Sequence, residues 1–445
     1  MEKFVIKGGK KLKGEVSILG SKNVALKVLV AACLTSEEVV VENVPIISDF
    51  VTMANIIEHL GGKVTFKDHT VTVQMKEFSS EKISLAEAAD IRTSYMFLAP
   101  LLARLGKGVI PNPGGCRIGA RPIDRVVVGL KKMGVRIKYV SKDGYFHAEA
   151  QKGLNGTSYK FEKNTHTGTE TLIIAAATAK GKTVLENAAQ EPEIDELIGL
   201  LNRMGAKIVR EKPRRIVIQG VEALHGAKFR IVPDRNEVVT FAVAAIITEG
   251  DILIKDINKK GIEEFLDLLK LCGGGFKESK EGIRFFYKGQ LKSADVQTSF
   301  YPGFMTDWQG PWSVLMTKAV GVSMIHETVY ENRFTYAEEL KKLGAQIELF
   351  NPVLKDPSKV YNFNIKDDLD TNFHAAKITG PTILHDGIVN ITDLRAGATL
   401  VLGALAAKGE SVLLGIEHLE RGYEQFDKRL RGLGASIKRV QEEII

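Results

Sequence analysis

Apolar positions along this 445-residue chain fall into two alternating kinds of helical run. In the first kind nearly every position is apolar and many are small, as in residues 25–33 and 171–179. A helix that is apolar all round has no face for water and is predicted to be buried. In the second kind apolar residues recur at helical spacing, as in Ile194, Leu197, Leu200, Leu201 and Met204. That spacing predicts an amphipathic helix lying over the surface. Short β-branched runs separate the helices. Val39-Val40-Val41 and Thr183-Val184-Leu185 precede amphipathic helices, and Lys207-Ile208-Val209 follows one. Each reads as a strand.

The pattern repeats six times. A signature closes each copy: Leu60-Gly61-Gly62, Met133-Gly134-Val135, Met204-Gly205-Ala206, Cys272-Gly273-Gly274, Leu343-Gly344-Ala345 and Leu433-Gly434-Ala435. The intervals are about 70 residues, except the last at about 90. A glycine after the last turn suits a left-handed helix cap, and a period this regular marks a repeat architecture. Each repeat reads as β-α-β-α-β, which makes the fold class α/β. Six repeats exceed one core, so two domains of three repeats each are predicted. The boundary falls near Pro233-Asp234-Arg235. Phe4-Val5-Ile6 and Val16-Ser17-Ile18 precede the first repeat and have no partner of their own. They are assigned to the C-terminal domain, giving domains 22–232 and 1–21 plus 233–445. A cleft between domains is the default place for a site. Residues 351–370 lengthen the last interval and read as a surface hairpin or loop.

Composition narrows the function classes. Apolar residues make up 44% and charged residues 26%, the normal globular range. No run of about 18 apolar residues is present, so no membrane span is expected. The N-terminus lacks an apolar targeting core. Three cysteines, Cys33, Cys116 and Cys272, are too few and odd for a disulfide framework. A reducing, cytoplasmic setting follows. The net charge of +7 comes with no dense basic run or aromatic-basic motif, so small polyanionic substrates are expected rather than nucleic acid. Metal-ligand spacing, a phosphate-binding loop and a dinucleotide fingerprint are all missing, so no metal or cofactor is expected.

The starts of the buried helices carry an unusual polar set. They read Ser21-Lys22-Asn23, Arg92-Thr93-Ser94, Thr167-Gly168-Thr169-Glu170, Asp234-Arg235-Asn236-Glu237, Thr306-Asp307 and Asp393-Leu394-Arg395. Capping accounts for the Ser, Thr, Asp and Asn. It does not account for Lys22, Arg92 and Arg395, because a cation at a helix N-terminus opposes the dipole. An anion bound there would resolve the conflict. The plainer alternative is surface charge near turns.

The segment 111–124, Pro-Asn-Pro-Gly-Gly-Cys-Arg-Ile-Gly-Ala-Arg-Pro-Ile-Asp, is a long loop by its prolines and glycines. Cys116 lies near its tip with Arg117 and Arg121 close by, and nearby cations favour the reactive thiolate. Cys33 and Cys272, on apolar helix positions, read as structural.

With this loop the chain resembles the enolpyruvyl transferases of the EPSP synthase-like superfamily, in particular the UDP-N-acetylglucosamine 1-carboxyvinyltransferases. The resemblance spans essentially the whole chain. Besides the Cys116 loop it rests on Gly20-Ser21-Lys22-Asn23, Glu191-Pro192-Glu193, Pro233-Asp234-Arg235 and Tyr301-Pro302-Gly303-Phe304-Met305-Thr306-Asp307. Glu331-Asn332-Arg333-Phe334, Asp393-Leu394-Arg395-Ala396 and Arg421-Gly422-Tyr423-Glu424 complete it. It implies a two-domain inside-out α/β barrel of six repeats. It also implies transfer of the enolpyruvyl group of phosphoenolpyruvate to the 3′-hydroxyl of UDP-N-acetylglucosamine with release of phosphate, the first committed step of peptidoglycan precursor synthesis. Addition and elimination through a tetrahedral ketal need an acid, a base and cations.

The resemblance assigns roles residue by residue. Lys22, Arg121 and Arg421 would hold the phosphate and carboxylate of phosphoenolpyruvate, with Arg395 on the carboxylate. Cys116 would be the general acid and the site of covalent capture by fosfomycin. Asp307 would sit at the sugar hydroxyl as base or orienter, and Asn23 would contact the nucleotide sugar. Asp393 would be a second carboxylate in proton transfer or in positioning Arg395. Arg92 and Arg333 would complete the charged cleft. The plainer readings are that Asp307 and Asp393 are helix caps and that Arg333 pairs on the surface. Lys27, Arg117, Tyr95-Met96 and His166-Thr167-Gly168-Thr169 depart from the family pattern and bear on nucleotide contacts rather than chemistry. Two alternatives stand beside this reading: an acceptor such as shikimate 3-phosphate, and a non-catalytic relative that senses a nucleotide sugar. The second would be expected to lose Cys116, Lys22 or Arg421.

Overall fold

The computed structural model describes residues 2–114, 118–120 and 122–441. Two compact units emerge. Residues 2–18, 118–120 and 233–441 make the C-terminal unit, and residues 19–114 and 122–232 the N-terminal unit. The all-apolar runs are helices, one per repeat: α1 Lys22–Ala32, α2 Leu98–Leu105, α3 His166–Ala176, α4 Arg235–Ile247, α5 Gln309–Thr317 and α6 Leu394–Ala406. Every residue of α4 and α5 is buried. In the C-terminal unit α4, α5 and α6 pack on one another. In the N-terminal unit α2 packs on α3, and α1 on the 3-10 turn Arg92–Phe97 that leads into α2. The amphipathic helices lie outside these. Pro192–Arg203 buries Ile194, Leu197, Leu200 and Leu201 and turns its polar positions outward. Helices inside and sheets outside are what residues of these two kinds dictate, because a helix without a polar face cannot be left at the surface.

Each repeat except the second contains one strand more than the sequence pattern predicts. Its order is β-α-β-α-β-β. Around α3, Ser158–Lys160 runs parallel to Lys182–Glu186. Arg215–Gln219 then pairs antiparallel with Lys182–Glu186, and Lys207–Lys212 with Arg215–Gln219. The same order recurs in four other sheets. In the second repeat the leading strand shrinks to a single bridge, Lys82 to Val109. In the first, third and fourth repeats the extra strand escaped because the last two strands form a tight hairpin of short alternating runs. Only Ile208, Ile216 and Ile218 face the core in the third repeat, which leaves a weak signal for each strand.

Chain connectivity crosses over at both ends of the N-terminal unit. Lys13–Ser17 precedes α1 in sequence but pairs with Asp251–Lys255 of the fourth repeat. Ala227–Arg230 precedes α4 but pairs with Val39–Glu42 of the first. Glu2–Lys7 sits between Glu410–Leu414 and Ser436–Gln441 and completes the sixth sheet.

All six signature glycines have positive φ, between +89° at Gly273 and +103° at Gly61. A side chain would be strained there, so the glycine ends each amphipathic helix and turns the chain into the strand that follows. The insertion after Phe350 is a loop rather than a hairpin. Short helical turns at Pro357–Val360 and Ile365–Asp367 fold Tyr361 and Phe363 back onto His374, with ring centroids 4.8 and 5.1 Å apart. Cys33 and Cys272 are buried, as read, and burial pushes the Cys33 thiol up to about 12.

Candidate active site

In the C-terminal unit four of the proposed residues converge. Asp307 lies in the 3-10 turn Thr306–Trp308 that feeds α5. Asp393 caps α6: its Oδ1 accepts from the backbone N–H of Arg395 at 2.9 Å and of Ala396 at 3.1 Å. Its Oδ2 accepts from Thr335 Oγ1 at 3.1 Å. Arg395, in the first turn of α6, places Nη2 3.2 Å from Asp307 Oδ2. Arg333 donates from Nη2 to Asp307 Oδ1 and from Nε to Thr306 Oγ1 at 3.3 Å, and its Nη1 lies 4.0 Å from Asp393 Oδ1. Arg333 is therefore a buried bridge between the two carboxylates, not a surface pair. Asp393 is a cap, yet it also faces Arg333 with the oxygen that caps. Asp307 makes no cap, and the plainer reading does not describe it.

The electrostatics of Asp307 follow from this geometry. Burial alone would raise its pKa, but the guanidiniums of Arg395, Arg333 and Arg235 outweigh that and hold it at about 2. Its side chain keeps 22% exposure, against 6% for Arg333. The carboxylate is thus ionised and reachable while its partners are sequestered.

A polar scaffold underlies the cluster. Glu327 is fully buried and accepts from Thr306 Oγ1 at 2.8 Å, Gln309 Nε2 at 2.6 Å and the Val329 N–H at 2.8 Å. Trp308 donates from Nε1 to Asn236 Oδ1 at 2.9 Å. Glu237 receives both terminal nitrogens of Arg429 at 2.6 and 2.9 Å. Sequence reasoning missed Glu327, Arg235 and Glu237 as parts of the site. Arg235 comes one residue after the cap Asp234, as Arg395 comes two after the cap Asp393, which was the available signal. Arg421 lies at the end of the turn Glu417–Glu420 and is partly exposed.

In the N-terminal unit Lys22 opens α1, and its Nζ lies 2.7 Å from Asp49 Oδ2 of the helix Ser48–His59. The conflict between a cation and the helix dipole is thus met by a carboxylate of the chain itself, as Asp307 and Asp393 meet it for Arg395. Asn23 is partly buried beside Lys22. Arg92 begins the turn leading to α2, with its guanidinium 5.8 Å from the Tyr95 ring centre. Cys116 and Arg121, and with them Arg117, lie outside the described residues. Ile118 accepts a backbone hydrogen bond from Asn332 at 3.2 Å.

The departures at Lys27 and His166 meet in the core of this unit. Lys27 Nζ is 3.4 Å from Glu170 Oε2, and His166 Nε2 is 3.3 Å from Glu170 Oε1. Glu170 has no solvent exposure. Burial disfavours the His166 imidazolium, but the charges of Glu170 and Glu191 prevail over burial and Lys27, and its pKa is raised.

Known proteins agree with this architecture. The sequence pattern of the EPSP synthase (3-phosphoshikimate 1-carboxyvinyltransferase) family matches residues 6–430. The chain is 40% identical to the UDP-N-acetylglucosamine 1-carboxyvinyltransferase of Koribacter versatilis, over 99% of this chain and 97% of that protein. It is 39% identical to the protein of the same name from Bartonella henselae, over 99% and 100%. The structure of the enolpyruvyl transferase NikO from Streptomyces tendae superposes with a TM-score of 0.85 at 24% identity, covering 99% of each chain. EPSP synthase from Acinetobacter baumannii superposes at 0.71 with 17% identity, covering 99% of this chain and 100% of that one. These two likenesses speak for the two-unit α/β fold. By the family match and by its full-length relatives, the chain belongs to the EPSP synthase family of enolpyruvyl transferases, in the group of the UDP-N-acetylglucosamine 1-carboxyvinyltransferases.

Proposed function

We propose that this protein transfers the enolpyruvyl group of phosphoenolpyruvate to the 3′-hydroxyl of UDP-N-acetylglucosamine and releases phosphate, in the cytoplasm, as the entry into peptidoglycan precursor synthesis. The observation that carries the proposal is Asp307, an ionised and partly exposed carboxylate held between two guanidiniums. A sugar hydroxyl needs an acceptor to orient it, and an anionic co-substrate needs guanidinium forks.

At about 2 the Asp307 carboxyl is a poor base, so in this state it orients the hydroxyl by accepting its hydrogen bond. Phosphoenolpyruvate changes that balance. Its carboxylate competes for Arg395 and brings negative charge close to Asp307, and both effects raise the Asp307 pKa. The base gains strength when the second substrate arrives. Arg333, buried and shared with Asp393, keeps Asp307 in place throughout. Lys22, Arg92, Arg121 and Arg421 supply further cationic contacts to phosphate and carboxylate, Asn23 contacts the nucleotide sugar, and Cys116 protonates the methylene carbon.

Phosphate release from phosphoenolpyruvate with UDP-N-acetylglucosamine, compared with shikimate 3-phosphate, tests the reading. Turnover with the nucleotide sugar is expected, and turnover with shikimate 3-phosphate alone overturns it. Intact mass after incubation with fosfomycin is expected to show one adduct, lost in Cys116→Asp while turnover persists.

A further inference from the structure

We infer that Tyr423 is a positioning residue that fixes the guanidinium plane of Arg395 through a one-way hydrogen-bond relay ending on the backbone of α4. The inference rests on the reading of Arg395 as the carboxylate-binding cation.

The relay has only one possible sense. Thr240 Oγ1 lies 3.0 Å from the carbonyl oxygen of Asn236. A carbonyl can only accept, so the single Thr240 hydroxyl proton points there. Tyr423 OH lies 2.8 Å from the same Thr240 oxygen. Since the Thr240 proton is engaged, Tyr423 must donate to Thr240. That leaves the Tyr423 oxygen with free lone pairs and no proton to give. Arg395 Nη1, which can only donate, sits 3.2 Å from that oxygen. Arg395 Nη2 is 3.2 Å from Asp307 Oδ2. Two terminal nitrogens held by two acceptors define the plane of a rigid fork.

The tyrosine itself cannot drift. It is 2% exposed, its ring lies 4.8 Å from that of Phe426, and its backbone N–H donates to Leu419 at 3.0 Å. Phe426 is held in turn against Phe241 of α4. Thr240 and Phe241 are adjacent on the same buried helix. The core of the C-terminal unit therefore carries the orientation of Arg395 out to its reactive end. A phenol suits the role. It is neutral, so it fixes direction without cancelling the charge that an incoming carboxylate needs, and burial further resists its ionisation.

Tyr423→Phe keeps the ring and removes the acceptor. We expect kcat/KM for phosphoenolpyruvate to fall about 10- to 100-fold, the size of one hydrogen bond to a charged group, with an unchanged KM for the nucleotide sugar and an unmoved melting temperature. Thr240→Val is expected to give a smaller loss of the same kind, and Thr240→Ser wild-type behaviour. In an Arg395→Ala background Tyr423→Phe should cost nothing more, because the residue acts only through Arg395. Equal losses in both backgrounds overturn the inference. A second readout does not depend on turnover: the 15N resonances of the Arg395 guanidinium in the protein without substrates. Slower rotation is expected in the wild type than in Tyr423→Phe, where Asp307 still holds the guanidinium, and identical rotation in both overturns the inference. If the wild type releases no phosphate with UDP-N-acetylglucosamine, the functional proposal falls and the resonance experiment alone decides the role of Tyr423.

Discussion

Asp307 and Glu170 are both carboxylates set between two basic side chains at the head of a buried helix, and they do opposite things. Asp307 is hydrogen-bonded by Arg333, lies 3.2 Å from Arg395 and keeps 22% of its side chain exposed. Glu170 is completely buried, and its oxygens lie 3.3 Å from His166 and 3.4 Å from Lys27 without forming a well-aligned hydrogen bond. The first arrangement offers a charge to a ligand. The second encloses one. Buried charge without full hydrogen bonding is costly, and removing one partner costs more than removing the whole set. The comparison teaches that repeat symmetry places a polar cluster at equivalent helix ends. Local partners then decide whether it faces chemistry or holds the core.

The largest expected effect is on the exposed side of this comparison. Asp307→Ala should lower kcat about 10²- to 10⁴-fold, the usual contribution of a positioned acid–base group, with a smaller loss of stability than Glu170→Ala because the Asp307 side chain keeps 22% exposure. Continuous phosphate release alongside calorimetry checks it. A protein that melts far lower yet turns over normally would make Asp307 structural and erase the contrast with Glu170.

Glu170→Ala should do the reverse. It leaves the buried Lys27 and the partly exposed His166 without a counter-charge and is expected to cost about 3–5 kcal/mol of stability, read by urea unfolding. The folded fraction should retain its kcat. The double variant Lys27→Met with Glu170→Leu sharpens the point. Removing both charges together should return most of the stability, because apolar groups of similar volume often replace a buried pair without loss.

The smallest effect is the pH dependence. The His166 pKa is raised in the folded chain, so its imidazolium is favoured by folding. That contribution is complete below the unfolded pKa of roughly 6.5, and fades as pH rises through the higher folded value. Melting temperatures from pH 6 to pH 9 should fall more steeply for the wild type than for His166→Asn. Asp307 acts at the other extreme. Its contribution is present above the ordinary carboxylate range and is lost only as pH falls toward about 2. Parallel slopes for the wild type and His166→Asn would mean that His166 does not sense pH.

Lys27 shows how far sequence reading reached and where it stopped. A lysine inside an otherwise apolar helix was visible as a departure, but its partner is 143 positions away on α3, and no local pattern links the two. Asp49 answering Lys22 is a similar case. Arg333 stands out in the sequence as a charged residue, yet its burial between Asp307 and Asp393 depends on the fifth and sixth repeats meeting. Tyr423 stood inside a recognised motif and still gave no hint of its relay, since Thr240 and Arg395 come from two other elements.

What the amino-acid order determined by itself is the periodic part: buried helices, amphipathic helices, the glycine that closes each unit and their sixfold recurrence. These depend on residues three or four apart, and local apolar spacing encodes them directly. The hairpins' second strands, the particular strands on which Lys13–Ser17 and Ala227–Arg230 pair, and the assignment of partners to Asp307, Glu170 and Arg395 were decided only in three dimensions. The free energy of an ion pair or a relay depends on distance and on exclusion of water, and both are properties of packed elements far apart in the chain.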